Sequence, residues 1–205
     1  MPAAHIDAGT TDAGSASAAE GRRPSLVHAN SREERSAFYE IKVASFEELH
    51  LEEGMVREAQ AAWSTFNAQM GSQEAAGEAI YTSLFESAPS LQSLFITPRA
   101  VQALRFVIGI HGAINTLNDP PRLKMLVESL GFQHLNIDVT LPRVVIFRDA
   151  LLDLFEVELE DKFTVDARDG WLALLNFIGG SLIYIRGHYA DRLTMLSESW
   201  KLVKG

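Results

Sequence analysis

Between Met55 and about position 186, apolar residues recur at intervals of three and four. This period constrains the fold more than any other feature of the chain, because it matches the face of an α-helix and not the alternating faces of a strand. No sustained apolar–polar alternation is bounded by hairpin turns, and the prolines stand at segment edges. The pattern predicts six helices. The first, at about 55–70, sets Val56, Ala59, Trp63, Phe66 and Met70 on one stripe. The second, at about 72–88, carries Gly77, Ile80, Tyr81, Leu84 and Phe85; Pro89 ends it, and a short turn runs to Phe95. The third, at about 98–118, opens on Pro98 and continues through Gln102, Phe106, Ile110, Ala113, Ile114 and Leu117. The fourth, at about 120–134, follows Asp119 with two prolines and then presents Leu123, Leu126, Val127 and Leu130. The fifth is expected at about 142–160, and the sixth at about 164–186 with Trp171, Leu174, Leu175, Ile178 and Leu182. The expected class is all-α.

The flanks differ from this body. Residues 1–30 are rich in Ala, Gly and Ser and poor in large apolar groups. They cannot bury enough surface to offset their ordering entropy, so a disordered tail is expected. Residues 31–54 contain a capping-box pair, Ser31 and Glu34, and weak amphipathic spacing at Phe38, Ile41 and Leu49. An extra helix, broken near Val43–Ser45, or a linker is expected there. Residues 187–205 read as a C-terminal extension with a modest helical pattern at Leu193, Leu196 and Trp200.

Composition removes several classes of function. The 205 residues carry a formal net charge of −9, which argues against binding nucleic acid by phosphate neutralisation. There is no cysteine, so disulfides, thiolate-bound zinc, iron–sulfur clusters and thiol nucleophiles are excluded. The missing cysteines also fit a reducing compartment, and the cytoplasm is the expected location. No apolar run is long enough to span a bilayer. The N-terminus has no basic start followed by an apolar run, and Asp7, Asp12 and Glu20 oppose a mitochondrial transit reading.

Three polar residues fall on the apolar faces of three helices. His134 lies four residues beyond Leu130, on the extension of the fourth helix's stripe. A core histidine bonded to a backbone carbonyl is the commoner reading of such a residue, and a neutral imidazole serving as a metal ligand is the sharper one. Gln102 opens the inward stripe of the third helix, where an unpaired amide costs about 1–3 kcal/mol. Tyr81 sits between Ile80 and Leu84 on the second helix, and its hydroxyl needs a partner when buried. Together the three suggest a shared cavity. The remaining histidines are weaker candidates. His111 is expected to be peripheral, and His5, His28, His50 and His188 solvated. The acidic group Glu47, Glu48, Glu52 and Glu53 reads as a solvated face, and Arg22 and Arg23 beside Ser25 as a weak modification motif.

Over residues 55–186 the chain resembles the globin family. LVESLGFQHLNIDV (126–139) is similar to the globin proximal helix and its exit. SLFESAPSLQSLF (83–95) is similar to the end of the second helix, its proline turn and the following aromatic. RDALLDLF (148–155) and RDGWLALLNFIGG (168–180) look like the last two long helices, and Trp63 falls where globins often carry a tryptophan. The resemblance implies a helical sandwich around haem b. It makes His134 the proximal iron ligand, Phe95 the phenylalanine stacked on the haem, Tyr81 and Gln102 the distal pair, and Phe106 a wall of the distal pocket. Leu130 and Val139 would line the cofactor on the proximal side. Gln102 precedes His134 by 32 residues, as in bacterial-type and nerve-type globins. Gly77 and Ala103 fall where the second and third helices of globins cross closely. The connection between the second and third long helices is shortened: only seven residues separate Phe95 from Gln102, fewer than in most globins, implying that this segment lacks a helix of its own and leaving Leu104 or Arg105 as alternatives to Gln102.

The function implied is reversible binding of dioxygen or another diatomic gas, for sensing, storage or nitric-oxide scavenging. One alternative is a nitric-oxide dioxygenase served by a separate electron-donor reductase. The other is a helical interaction module that holds no haem.

Overall fold

The computed structural model describes residues 40–94 and 98–203, with side chains at 40–92 and 98–201. Among the described residues the fold is all-α, with no strand. Helix α1 spans Glu53–Met70 and ends at Gly71, whose φ of 77° is a left-handed conformation that glycine adopts without strain. Helix α2 spans Gln73–Ser87, and the Ser72 hydroxyl caps it by accepting from the Ala75 N–H at 3.1 Å. Helix α3 spans Arg99–Asn115 behind Pro98. Helix α4 spans Pro120–Gln133, capped by Asp119, which accepts from the Arg122 N–H at 3.2 Å. Helix α5 spans Leu141–Leu159 and α6 spans Val165–Val203.

The core is aromatic at its centre. Phe155 lies 5.0 Å from Phe66 and 4.8 Å from Trp171, and Trp63 lies 5.8 Å from Phe66 and 5.7 Å from Trp171, measured between ring centroids. The indole of Trp171 donates to the Ala59 carbonyl at 3.0 Å, so the largest buried side chain leaves no donor unpaired. Around this centre α6 packs on α1, α4 and α5, while α2 packs on α3 and α5. Helices α3 and α4 follow one another in the chain, yet they touch only slightly.

Two expectations need correction, and each reflects tertiary packing. Residues 40–52 are not helical. They form a strap in which Phe46 stacks on Phe177 at 6.0 Å and reaches Tyr184 at 6.2 Å, while Leu49 and Leu51 pack on the core. These contacts reward an extended path more than the weak amphipathic pattern rewards a helix. Ahead of Phe95 a 3-10 helix spans Pro89–Leu94, whose Leu91 and the adjacent Ala88 are buried with Leu84 and Ala150. No boundary occurs at 187, because α6 continues without a break to Val203. The tail expected over 1–30, and residues 31–39 of the expected extra helix, lie outside the described residues.

Candidate functional site

The site is built from four helices. On α2, Tyr81 is 3% exposed. Its ring meets Phe85 edge to face at 5.3 Å and Phe106 of α3 at 6.4 Å. Phe106 in turn meets Phe147 of α5 at 5.2 Å. Edge-to-face pairing of this kind fixes ring orientation as well as burying area. Burial pushes the Tyr81 hydroxyl up to about 12, and the nearby Arg99 guanidinium partly offsets the rise. The phenol therefore stays protonated, and able to donate, throughout the physiological range.

Gln102 lies one turn before Phe106 on the same face of α3. Its Oε1 is buried without a hydrogen-bond partner, alone in this among the described residues. Leu104 is half-buried and Arg105 exposed, so of the three alternatives Gln102 is the one that takes a polar atom inside. Arg99 ties this end of α3 to α2: its Nε lies 2.7 Å from Glu78 Oε2, its Nη2 donates to Thr82 Oγ1 at 2.7 Å, and its guanidinium sits 5.9 Å from the Phe85 ring. Small residues allow the approach. A Cβ on Gly77 would stand 2.9 Å from the Ala103 carbonyl carbon and 2.9 Å from its Cβ, closer than van der Waals contact permits. The close crossing expected at Gly77 and Ala103 is thus present.

His134 stands just past the end of α4. Its backbone N–H donates to the carbonyls of Leu130 and Gly131, each at 3.1 Å. Its Nδ1 lies 2.8 Å from the Leu130 carbonyl. A carbonyl only accepts, so Nδ1 carries the proton and the neutral ring keeps its lone pair on Nε2. The exit from α4 is held as well: Ile137 donates to the His134 carbonyl at 2.9 Å, and Asp138 is bracketed by Arg143 of α5 at 3.1 Å and Arg186 of α6 at 2.6 Å. Leu130, His134 and Val139 are half-buried, as are Phe106 and Phe147. Leu130 and Val139 near His134, and Phe106 and Phe147 near Tyr81, are thus apolar side chains that the protein only partly covers. Phe95 lies outside the described residues.

The other histidines are engaged elsewhere. His111 is exposed; its Nδ1 accepts from the Trp63 indole at 3.1 Å and its Nε2 lies 2.9 Å from the Asn115 amide. His188 donates from Nδ1 to the Tyr184 carbonyl at 2.8 Å, and exposed His50 pairs with Glu48 at 3.4 Å. Glu47, Glu48, Glu52 and Glu53 are all exposed. A separate open cleft of about 340 Å³ lies between the strap, α1 and the α3–α4 turn, with Arg57, Gln60 and Asn118 on its wall, and holds none of the expected site residues.

Sequence reasoning missed Phe147, Arg99 and the Asp138 bracket. Phe147 sits in a helix read only as a span. The other two act through partners on different helices, and their one local signal was proximity to Gln102 and His134 in the chain.

Among the described residues no three His, Asp or Glu side chains converge to hold a metal ion by themselves. A single imidazole with a fixed tautomer suits instead an iron whose equatorial ligands come from a macrocycle. The residues present fit such a group: half-buried apolar side chains, one nitrogen donor with its lone pair free of the internal bond, and a buried amide oxygen with no internal partner. No curated protein matches the chain. The Globin family model matches residues 78–182, from α2 through the middle of α6 and over half of the chain. With an all-α architecture whose third and fourth helices diverge, the chain belongs to the globin family.

Proposed function

We propose that this globin binds haem b through His134 and takes up dioxygen reversibly, with Tyr81 and Gln102 as donors on the opposite side. The observation that carries the reading is the unpartnered Oε1 of Gln102. A buried amide left without a partner costs about 1–3 kcal/mol, a cost that a folded chain keeps only when something else repays it. Rotation about the last torsion of the side chain lets the amide present either its oxygen or its NH₂ to a ligand. Haem, when bound, would supply an iron able to take up a diatomic gas.

The remaining roles belong to the chain. The Leu130 carbonyl orients the His134 ring and fixes its tautomer. Tyr81 offers a proton that stays on the hydroxyl because the site is dry. Phe106, Phe147 and Phe85 exclude water and strengthen any hydrogen bond made there. Two donors favour a polarised ligand such as dioxygen over carbon monoxide, and they slow its release. Slow release suits sensing, storage or scavenging better than bulk transport.

The test is haem titration of the purified full-length chain, followed by its Soret band, with the reduced form then exposed to carbon monoxide. A stoichiometric band that shifts with carbon monoxide is expected. His134→Ala should lose it, and added imidazole should restore it. A band of undiminished intensity and unchanged position in His134→Ala would overturn the assignment of the proximal ligand. Nitrate formation from nitric oxide with a generic reductase then separates turnover from simple binding.

A further inference from the structure

His134 is the capping residue at the end of α4, and residues 135–140 after it are not helical. A ring at such a place is only as well aimed as the turn that carries it. Two grips flank it, three residues before and four after. Upstream, Gly131 lies against Ile185 of α6. A Cβ on Gly131 would stand 2.5 Å from Ile185 Cδ1, with Cγ2 and Cβ at 3.1 and 3.2 Å, so a side chain there pushes α4 off α6 or displaces Ile185. Ile185 is itself buried. Downstream, three bonds converge on Asp138. Arg186 of α6 donates from Nη1 to Oδ1 at 2.6 Å, and Arg143 of α5 donates from Nη1 to Oδ2 at 3.1 Å and to the Asp138 carbonyl as well. Between the grips, the Ile137 N–H donates to the His134 carbonyl and the Val139 N–H to the Ile137 carbonyl, each at 2.9 Å. Ile185 and Arg186 are adjacent, so both grips reach α6 at one place. Helix α4 packs on α6 and touches α3 only slightly, so α6 is the surface from which the end of α4 takes its position.

On the reading of His134 as the haem ligand, we infer that Arg186 and Arg143 are positioning residues for that ligand: through Asp138 they clamp the turn after α4 and hold the imidazole in one orientation. The clamp suits positioning better than stability. The side chains of Asp138, Arg143 and Arg186 are 55, 36 and 38% exposed, and an ion pair so exposed adds little to folding. What the three bonds supply is direction. They come from two different helices and end on one residue, so the turn cannot swing toward either helix without breaking a bond to the other. A metal-bound imidazole depends on such outer partners, because they set the orientation in which its lone pair is offered. The Leu130 carbonyl fixes the rotation and tautomer of the ring, and the clamp fixes the backbone from which the ring projects.

Resonance Raman spectra of the reduced, haem-loaded full-length chain read the iron–imidazole bond. Arg186→Gln, and Asp138→Ala, which releases both arginines, should shift or broaden the iron–imidazole stretching band. They should also speed haem release to an acceptor protein about tenfold, the lower end of what losing an outer partner of a metal ligand costs. Arg186→Lys keeps one charged donor and should restore most of the band and the rate. Urea midpoints should stay close to that of the wild type, because the pairs are exposed. In the haem-free chain, hydrogen exchange at the His134 and Ile137 amides should quicken in Arg186→Gln while the amides of α1 keep their wild-type rates. A wild-type band, release rate and exchange in both variants would overturn the inference. So would a midpoint that falls in step with faster haem release, since the arginines would then act on the whole fold and not on the ligand. Failure of the haem reading looks different: His134→Ala then keeps its Soret band, with the clamp intact.

Discussion

Tyr81 shows how burial sets the chemistry of a single residue. Its hydroxyl is raised from 10.0 to about 12 by loss of solvation, with Arg99 acting in the opposite sense. The folded state thus holds this proton more tightly than the unfolded state does. Its contribution to stability is complete below pH 10 and is lost as pH rises toward 12, at up to about 1.4 kcal/mol per pH unit. Tyr81→Phe should remove that part of the alkaline decline, as read by denaturant unfolding of both proteins across this window. In the haem-loaded protein the same substitution should speed dioxygen release about tenfold, equivalent to about 1.4 kcal/mol of hydrogen bonding. An unchanged rate by stopped flow would place the hydroxyl away from the ligand. The burial of Tyr81 and of the Gln102 oxygen, and the half-burial of His134, were legible in the sequence because each residue interrupts an apolar stripe on its own helix. Phe147 and Arg99 were not, because what defines them is a neighbour on another helix: Phe106 for the first, Glu78 and Thr82 for the second.

Helices meet at this site through backbone proximity, and Gly77 is the point of closest approach. Any side chain there must displace the Ala103 backbone of α3, which cannot yield as the tip of a flexible side chain could. Gly77→Ala is expected to cost about 1–3 kcal/mol despite the better helix propensity of alanine, because overpacking outweighs a propensity gain of about 1 kcal/mol. Urea unfolding measures this, and a stabilised variant would show that α2 and α3 have room to separate. Helix positions were largely readable from the period of the apolar residues. The ends were readable where a local device marks them, as at Ser72, Asp119 and Gly71. The end of α6 had no such mark. The modest apolar pattern beyond 186 read as an extension, but half of the residues over 188–203 are strong helix formers, and a helix already nucleated on the body propagates through them.

Across the whole molecule, the strap is held by Phe46, by Leu49 and Leu51 packed on the core, and by a close carbonyl contact at Gly180. Phe46 lies against Phe177 and Tyr184 with the Lys124 ammonium 5.2 Å from its ring, and the Lys42 carbonyl occupies the space that a Cβ on Gly180 would need. Phe46→Ala should destabilise the protein by about 2 kcal/mol, less than a fully buried phenylalanine would cost because Phe46 is only half-buried. Its unfolding midpoint in urea checks this, and an unaltered midpoint would show that the strap contributes nothing to the fold. The sequence alone determined the helical class, the approximate spans and the three polar interruptions, since periodicity and caps are written in neighbouring residues. Tertiary structure alone decided the extended path of the strap, the divergence of α3 from α4 and the isolation of the Gln102 oxygen. Each of those depends on which surfaces meet across the chain, and a local pattern of residues carries no record of its distant neighbours.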